Sequence, residues 1–308
     1  MQFKIAAFYE FNQVSDLKSL SKALKLFCKN NKLQGTIIIA SEGINGTVAG
    51  LPHLVDEFVK HLDRIGFHKL NIKYSYTAMM PFYRCKIKKK KEIVTFLDRP
   101  VDYDADRAES IPPKNWNNFI NQNDVVTIDV RNEYEIKIGS FKNSVSPNTT
   151  TFVEFKEYIE NNLSANKDQK IAMYCTGGIR CEKASYYMKE IGFKNLFQLD
   201  GGILKYLEEV DDKDSLWDGE CFVFDNRVAL TKDLDRGIYD LCHGCNEPVS
   251  PSDKKSKKFE KDVSCPECYD TLTEEKKSSS RERSKKIKLS EQRNTPNVYL
   301  PKSPKDYL

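Results

Sequence analysis

The first third of the chain alternates short apolar runs with amphipathic stretches. Four apolar runs bounded by polar positions predict strands at residues 3–11, 36–40, 46–49 and 70–76. Between them, residues 16–28 and 51–65 place leucine, valine and phenylalanine at helical spacing, so each predicts a helix with one apolar face. The order β-α-β-β-α-β predicts a ferredoxin-like (acylphosphatase-like) α+β sandwich, which we assign to residues 1–97.

The middle of the chain continues this alternation after a break. Residues 98–112 are acidic and interrupted by proline, which is typical of a linker. From residue 113 to residue 214, strand patterns alternate with helix patterns, and this alternation predicts a parallel sheet covered on both faces. The predicted strands are 125–130, a short segment near 144–146, 171–174 and 196–199, and the predicted helices are 114–121, 152–161, 181–191 and 203–208.

The C-terminal part carries two Cys-x2-Cys pairs, at residues 242–245 and 265–268. Thiolates at this spacing are typical of a tetrahedral zinc site, so residues 215–270 are expected to form a small structural zinc region. Unmetallated cysteines in a polar loop remain the alternative. Residues 271–308 are rich in Lys, Ser, Arg and Glu, which predicts a basic and mostly disordered tail. The expected zinc ligands are Cys242, Cys245, Cys265 and Cys268.

Length and composition limit the classes of protein. A chain of 308 residues suggests two or three domains, and no apolar run approaches the length of about 18 residues that a membrane helix needs. The nine cysteines, an odd number that includes two Cys-x2-Cys pairs, favour reduced thiols and metal over a disulfide framework. The sequence therefore predicts a cytoplasmic protein.

The strongest chemical signal follows the strand predicted at residues 171–174. Cys175 stands where this strand ends, and Gly177 and Gly178 allow the backbone N–H groups to turn inward before a helix begins near Arg180. A helix N-terminus stabilises an anion and lowers the pKa of a thiol. We therefore expect Cys175 to be a nucleophile that can carry a persulfide, although a buried structural cysteine in a tight turn is the alternative.

The residues around Cys175 supply the rest of the expected site. Thr176, Gly177, Gly178 and Ile179 would form the anion or persulfide cradle, and Arg180 would close the loop and hold the anionic sulfur. The four residues between Cys175 and Arg180 make a smaller loop than that of cysteine phosphatases, which suits sulfur better than a phosphoryl group. Cys181 could act as a resolving thiol or could simply pack in the first turn of the helix.

The motifs of the central region resemble those of rhodanese domains. With Cys175-Thr-Gly-Gly-Ile-Arg180-Cys181-Glu-Lys-Ala, the resemblance narrows to the tRNA uridine hydroxylase family and extends from residue 1 to about residue 270. The other segments that carry it are Thr127-Ile-Asp-Val-Arg131-Asn-Glu-Tyr-Glu135, Ile138-Gly-Ser-Phe141 and Leu199-Asp-Gly-Gly-Ile203.

This resemblance implies an enzyme that uses molecular oxygen to convert the wobble uridine of tRNA to 5-hydroxyuridine. Its partners would be tRNA and an electron donor that the sequence does not identify, and no stable protein partner is expected. The histidines show no iron-binding pattern, so the oxidant-activating cofactor stays unknown. Two alternatives remain open: a rhodanese-type sulfurtransferase that acts on a thiol or a tRNA, and a non-catalytic module that binds tRNA or protein.

A stripe of basic residues follows the strands and helices of the N-terminal sandwich. Whether this stripe is predicted to bind a partner depends on the substrate. One interpretation is a solvated edge strand that lysines protect from aggregation. The other, favoured by a tRNA substrate, is a phosphate-binding surface with Phe82 and Tyr83 available to stack on bases. The stripe consists of Arg84, Lys86, Lys88, Lys89, Lys90 and Lys91.

Overall fold

The computed structural model describes residues 2–103, 106–295, 297, 299–300 and 302–307. The strands are β1 Phe3–Phe11, β2 Gln34–Ala40, β3 Gly43–Gly50, β4 Asn71–Thr77, β5 Cys85–Lys89, β6 Glu109–Ile111, β7 Val125–Asp129, β8 Gly139–Phe141, β9 Lys170–Tyr174, β10 Leu196–Leu199, β11 Trp217–Gly219, β12 Cys221–Phe222, β13 Ala229–Leu230, β14 Asp240–Leu241 and β15 Pro248–Val249. The α-helices are α1 Leu17–Asn30, α2 Pro52–Arg64, α3 Pro113–Ile120, α4 Glu133–Ile136, α5 Phe155–Tyr158, α6 Ile179–Glu190, α7 Gly202–Glu209 and α8 Glu274–Gln292.

The N-terminal domain is the predicted α+β sandwich with one additional strand. Its sheet has the order β4-β1-β3-β2-β5, and the edge strand β5 pairs parallel with β2. Side chains alternate across β1, so Ala6 and Phe8 pack with Phe58 beneath the two helices. The sandwich prediction is confirmed, and β5 places the basic stripe on the sheet edge.

The other face of this sheet is covered by the rest of the chain. Phe3 and Ile5 pack with Met80, Phe82 and Tyr307 in a separate apolar cluster. Further along β1, the buried side chain of Tyr9 lies against α6 of the central domain, because its hydroxyl donates a hydrogen bond to Glu182. This second face of the N-terminal sheet is therefore an interface with other parts of the chain, whereas in an isolated sandwich it could be exposed to water.

The central domain contains a parallel sheet with the order β6-β10-β9-β7. One apolar layer contains Trp116, Tyr206 and Trp217, and the other contains Phe155, Tyr187 and Met188. The predicted parallel sheet is confirmed. Cys175 follows β9, at the carboxyl end of an inner strand, where open α/β sheets bind their ligands.

Two features of this region differ from the sequence-based expectations. Residues 109–111 of the expected linker form β6, because their backbone completes the parallel ladder beside β10. Near residues 144–146 the expected strand is reduced to one bridge between Val145 and Ile128. The strand at this part of the fold is instead β8, which pairs with β11.

The expectation of a disordered tail is wrong for residues 274–292, which form α8. Thr273 caps this helix by accepting a hydrogen bond from the backbone of Lys276. Arg281 pairs with Glu260 at 2.6 Å, so charged side chains that suggested disorder dock the helix on the cysteine-rich region. Met1, residues 104 and 105 of the predicted linker, and residues 296, 298, 301 and 308 of the predicted tail lie outside the described residues.

Within the described ranges, no helix is both long enough and apolar enough to cross a membrane.

Candidate active site

The loop after β9 forms a cup around the Cys175 sulfur. The backbone N–H of Gly178 donates a hydrogen bond to Cys175 Sγ at 3.1 Å. Gly178 has a φ of 99°, a left-handed conformation that favours glycine, and α6 begins at the next residue. The turn predicted from the two glycines therefore directs a helix N-terminus toward the sulfur.

The surroundings of Cys175 favour its thiolate. Burial opposes ionisation, but a hydrogen bond from Cys181, the charge of Arg180 and nearby backbone N–H groups outweigh it and hold the pKa of Cys175 well below its ordinary value. Burial and the neighbouring thiolate raise the pKa of Cys181 well above the ordinary value. These opposite shifts favour Cys175 over Cys181 as the anion of the pair.

The guanidinium of Arg180 forms an ion pair beside the sulfur. It donates to both oxygens of Glu135, at 2.5 and 2.8 Å, and both side chains are buried. Although burial opposes ionisation of Glu135, this contact with Arg180 holds the pKa of Glu135 below its ordinary value. The guanidinium thus belongs to a buried ion pair that forms one wall of the site, while its charge still favours the anionic sulfur, and the expected role of Arg180 in holding that sulfur stays a prediction.

The first residues of α7 form hydrogen bonds with the backbone of the Cys175 loop. The backbone N–H groups of Ile203 and Leu204 donate to the carbonyl oxygens of Cys175 and Thr176, at 3.0 and 3.2 Å. Gly202 makes this approach possible, because a Cβ at that position would lie 2.5 Å from the Cys175 oxygen. These contacts fix the backbone of the loop.

The N-terminal domain contributes residues that the sequence did not indicate. Lys73 on β4 donates a hydrogen bond to the carbonyl oxygen of Gly177 at 2.5 Å, and its side chain also contacts Asn71. A Cβ at Gly178 would lie 3.1 Å from the hydroxyl of Tyr9. The sheet of the first domain therefore covers the loop, and Cys175 is only 1% exposed.

A buried charge cluster joins the two domains beside the loop. Lys183 on α6 lies 2.6 Å from Glu42 and 2.5 Å from Glu92, and all three side chains are almost completely buried. Glu92 also accepts hydrogen bonds from the backbone N–H groups of residues 96–98. The carboxylates are thus partnered from both sides, which a buried ion cluster requires.

Comparison with known proteins gives this arrangement a family. Two family profiles match: "UPF0176 acylphosphatase like domain" at residues 3–93 and "Rhodanese-like domain" at residues 113–209. A tRNA uridine(34) hydroxylase from Teredinibacter turnerae is 47% identical over 288 residues, which cover 93% of this chain and 90% of that protein. The chain belongs to the tRNA uridine(34) hydroxylase family.

A second hydroxylase relative agrees with this membership. The tRNA uridine(34) hydroxylase of Brucella anthropi is 45% identical over 294 residues, covering 95% of this chain and 96% of that protein. A crystal structure of a rhodanese-related protein from Thermoplasma volcanium is 25% identical and covers 33% of this chain and 92% of that one, at a TM-score of 0.27. The tRNA uridine(34) hydroxylase relatives thus span both domains described above.

In this member of the hydroxylase family, a cleft opens beside the active loop. It contains about 540 Å³ of empty space, counting space open to solvent, and its lining includes Thr176, Lys73 and Phe224. The ring of Phe224 is 62% exposed, and its centroid lies 5.8 Å from the guanidinium carbon of Arg180. An exposed aromatic ring at the edge of a reactive loop provides a surface on which a planar group can stack.

The basic stripe of the hydroxylase family member lies on β5 and the residues that flank it. All six basic side chains, from Arg84 to Lys91, are exposed, whereas Cys85 and Ile87 pack toward the domain core. Lys91 pairs with Asp98 at 2.8 Å. Phe82 is buried and Tyr83 contacts Tyr299, so the expectation that Phe82 is available for base stacking is wrong.

The four C-terminal cysteines come together as the sequence predicted. Their ligand atoms all lie within 4.8 Å of one another, with sulfur–sulfur distances of 3.7, 3.7 and 3.8 Å for three of the pairs. A tetrahedron with Zn–S bonds of about 2.3 Å has edges of about 3.8 Å, so the cluster could hold a metal ion such as zinc. Among the described residues this is the one such group, and it consists of Cys242, Cys245, Cys265 and Cys268.

Proposed function

We propose that this protein hydroxylates uridine 34, the wobble uridine of tRNA, to 5-hydroxyuridine, with molecular oxygen as the source of the new oxygen atom. The observation that carries the proposal is the 47% identity to a tRNA uridine(34) hydroxylase over 93% of the chain. Because that match includes both domains, it supports a shared activity of the whole chain more strongly than a match to the rhodanese-like domain alone would.

Within this proposal, Cys175 supplies the reactive sulfur. Its thiolate is held by the N–H of Gly178 and by the thiol of Cys181, which supports a role as nucleophile or persulfide carrier. Thr176, Gly177, Gly178 and Ile179 would line the cradle, and among them the N–H of Gly178 donates to the sulfur. Arg180 maintains the wall of the site with Glu135 and adds positive charge near the sulfur.

The cleft beside the loop is the entry route that we propose for the uracil ring. Phe224 would stack on the base, while Thr176 presents a hydroxyl group at the loop. Stacking on an exposed aromatic ring is a common way to hold an unpaired base. The uracil base would thus reach the buried sulfur through this cleft, because the sheet of the N-terminal domain covers the loop.

The remainder of the chain would bind the macromolecule. We propose that the exposed stripe from Arg84 to Lys91 contacts the phosphate backbone of tRNA, because six clustered cations on one sheet edge match a polyanion. We also propose that the four-cysteine cluster holds one structural zinc ion, as its four thiolates complete a closed coordination shell. We also propose that the activity is cytoplasmic, because reduced thiols and a tRNA substrate are typical of that compartment.

A rhodanese-type sulfurtransferase is the second candidate, and the match to the rhodanese-like domain at residues 113–209 favours it. Nucleoside mass spectrometry of tRNA from cells that lack the protein tests both candidates. Restoring the wild-type gene should restore 5-hydroxyuridine, whereas the Cys175→Ser variant should not, because an alcohol cannot replace the thiolate. Restoration of a thiolated nucleoside instead would assign the sulfurtransferase.

A further inference from the structure

A lysine of the N-terminal domain is buried beside the active loop without a carboxylate partner. Lys73 is 8% exposed, and no carboxylate pairs with it among the residues that the structure describes. Its ammonium group instead contacts the Asn71 side chain and the Gly177 carbonyl oxygen, and lies 5.1 Å from the Tyr9 ring centroid. Burial of a cation is costly, so an isolated one requires an explanation.

The explanation lies in the peptide group that Lys73 contacts. Gly177 O and Gly178 N belong to the same planar peptide, and in a trans peptide the C=O and N–H bonds point in opposite directions. Lys73 donates to that oxygen at 2.5 Å, while that N–H donates to Cys175 Sγ at 3.1 Å. Lys73 thus acts on the sulfur through one peptide group. Each of the two hydrogen bonds polarises this peptide and thereby strengthens the other hydrogen bond.

We propose that Lys73 is a positioning residue for Cys175, which fixes and polarises the Gly177–Gly178 peptide and supplies a positive charge that stabilises the anionic sulfur. Arg180 cannot supply this charge at full strength, because Glu135 neutralises it at 2.5 Å. The active site is therefore completed by a residue from outside the rhodanese-like domain. The consequence for tRNA hydroxylation rests on the proposed function, but the effect on the thiolate does not.

The charges around Lys73 determine the pH range in which it acts. The groups that face it are Cys175 on the loop, Glu182 on α6, Asp200 after β10, Lys205 on α7 and Tyr9 on β1. Burial lowers the pKa of Lys73 to about 8, although the Cys175 thiolate opposes this shift. The ammonium charge is thus present at neutral pH and is lost as the pH rises through about 8.

The direct test is a titration of the Cys175 thiolate in the full-length protein with its metal. The absorbance of the thiolate near 240 nm is followed against pH, and the curve of the matching Cys175→Ser protein is subtracted so that the distant thiols cancel. Burial holds the pKa of Cys181 high, which keeps its ionisation apart from that of Cys175. Three variants separate the roles of Lys73. Lys73→Met removes charge and hydrogen bond, Lys73→Gln retains a donor without charge, and Lys73→Arg retains both. Lys4→Met is the matched control, because Lys4 lies in the same sheet but pairs with Asp56.

Lys73→Met should raise the apparent pKa of Cys175 by about 1–2 units, the usual effect of removing a nearby opposite charge. Lys73→Gln should give a smaller rise, and Lys73→Arg and Lys4→Met should remain close to wild type. The thermal midpoint of Lys73→Met should not fall, because methionine removes a buried charge. A residue that only supports the fold would lower the midpoint and leave the thiolate unchanged.

An unchanged Cys175 pKa in folded Lys73→Met protein would overturn the proposal. If Lys73→Met fails to fold, an unchanged pKa in Lys73→Gln has the same meaning. A pH profile of tRNA hydroxylation gives the second result: the acid limb of the rate, which follows formation of the Cys175 thiolate, should move to higher pH in Lys73→Met and stay close to wild type in Lys73→Arg, which keeps the positive charge. A shifted thiolate in a protein that does not hydroxylate tRNA would refute the proposed function and leave this inference intact.

Discussion

Replacing Lys183 with methionine removes the cation from the buried cluster that joins the two domains. Methionine is nearly as long as lysine, so little space is left behind. Glu42 and Glu92 would then face each other without a counter-charge, although each keeps backbone hydrogen bonds from residues 93–101. The change in the free energy of unfolding therefore measures how much this buried cluster stabilises the protein.

The magnitude follows from the burial of the three side chains, which are 0–1% exposed. Removing one partner of a buried ion cluster costs about 3–5 kcal/mol of unfolding free energy, since an uncompensated charge stays behind. For a chain of this size, a urea dependence of about 3 kcal/mol per molar converts this loss to a midpoint about 1–1.7 M lower. Such a shift is far larger than the error of the measurement.

The two tryptophans make the assay specific to one domain. Trp116 and Trp217 are both buried in the same apolar layer of the central sheet, so their fluorescence follows the rhodanese-like domain. Far-ultraviolet circular dichroism follows both domains. We expect the fluorescence midpoint of Lys183→Met to fall with the circular dichroism midpoint, because α6 carries Lys183 and belongs to that domain.

A matched control lies in the same domain. Lys194 pairs with Asp168 at the surface, where both side chains are 70% exposed, so Lys194→Met should leave the midpoint unchanged. If Lys183→Met also left the midpoint within about 0.2 M of wild type, the reasoning from buried charge would be refuted.

Three further predictions concern binding and metal. Replacing Lys88, Lys89 and Lys90 with glutamate should weaken binding to any tRNA and reduce the slope of log affinity against log salt by about 2–3. Fluorescence anisotropy at several salt concentrations measures this slope. An unchanged slope would mean that the stripe is only a solvated edge strand. Phe224→Ala should lower kcat/KM for tRNA by about 5- to 100-fold while Phe224→Trp retains it, and equal rates in steady-state assays would exclude stacking. Denatured protein should release about one zinc per chain, and removing that zinc should increase hydrogen exchange at residues 242–268 more than in the parallel sheet; metal analysis of reduced protein that finds none would contradict the zinc assignment.

Local patterns were sufficient to predict most of the architecture. The leucines of α1 and the apolar run before Cys175 have the periods of a helix and a buried strand, and both elements formed where those periods indicate. The four C-terminal cysteines were also predictable, because ligand spacing in a metal site is a local property. In each case, the residues that determine the structure are neighbours in sequence.

The partners of the active-site residues were not predictable in this way. Ile72 packs in the core of the N-terminal domain, so its neighbour Lys73 lies on the opposite face of β4, which the sequence alone predicts to be exposed to solvent. Only the docking of the second domain buries Lys73. The pairing of Arg180 with Glu135, which lies 45 residues earlier in the chain, was likewise not indicated. Long-range contacts of this kind leave no periodic signal in one sequence.

The tail shows the limit of composition as a guide. Its lysines, serines and glutamates suggested disorder, yet α8 is anchored by Thr273 at its start and by the Arg281–Glu260 pair along its side. Tyr307 then packs its ring against Phe3 and hydrogen-bonds Gln34. Tertiary contacts therefore order a segment whose composition has little intrinsic preference for structure.

The most direct test of wobble-uridine hydroxylation uses isotopically labelled oxygen. Purified protein and unmodified tRNA are incubated under ¹⁸O₂ with a supplied reductant, and the wobble nucleoside is analysed by mass spectrometry, with Cys175→Ser as the control. We predict 5-hydroxyuridine that carries ¹⁸O in the wild-type reaction and none in the control. A thiolated uridine, or sulfur transfer that proceeds without oxygen, would contradict the proposed function.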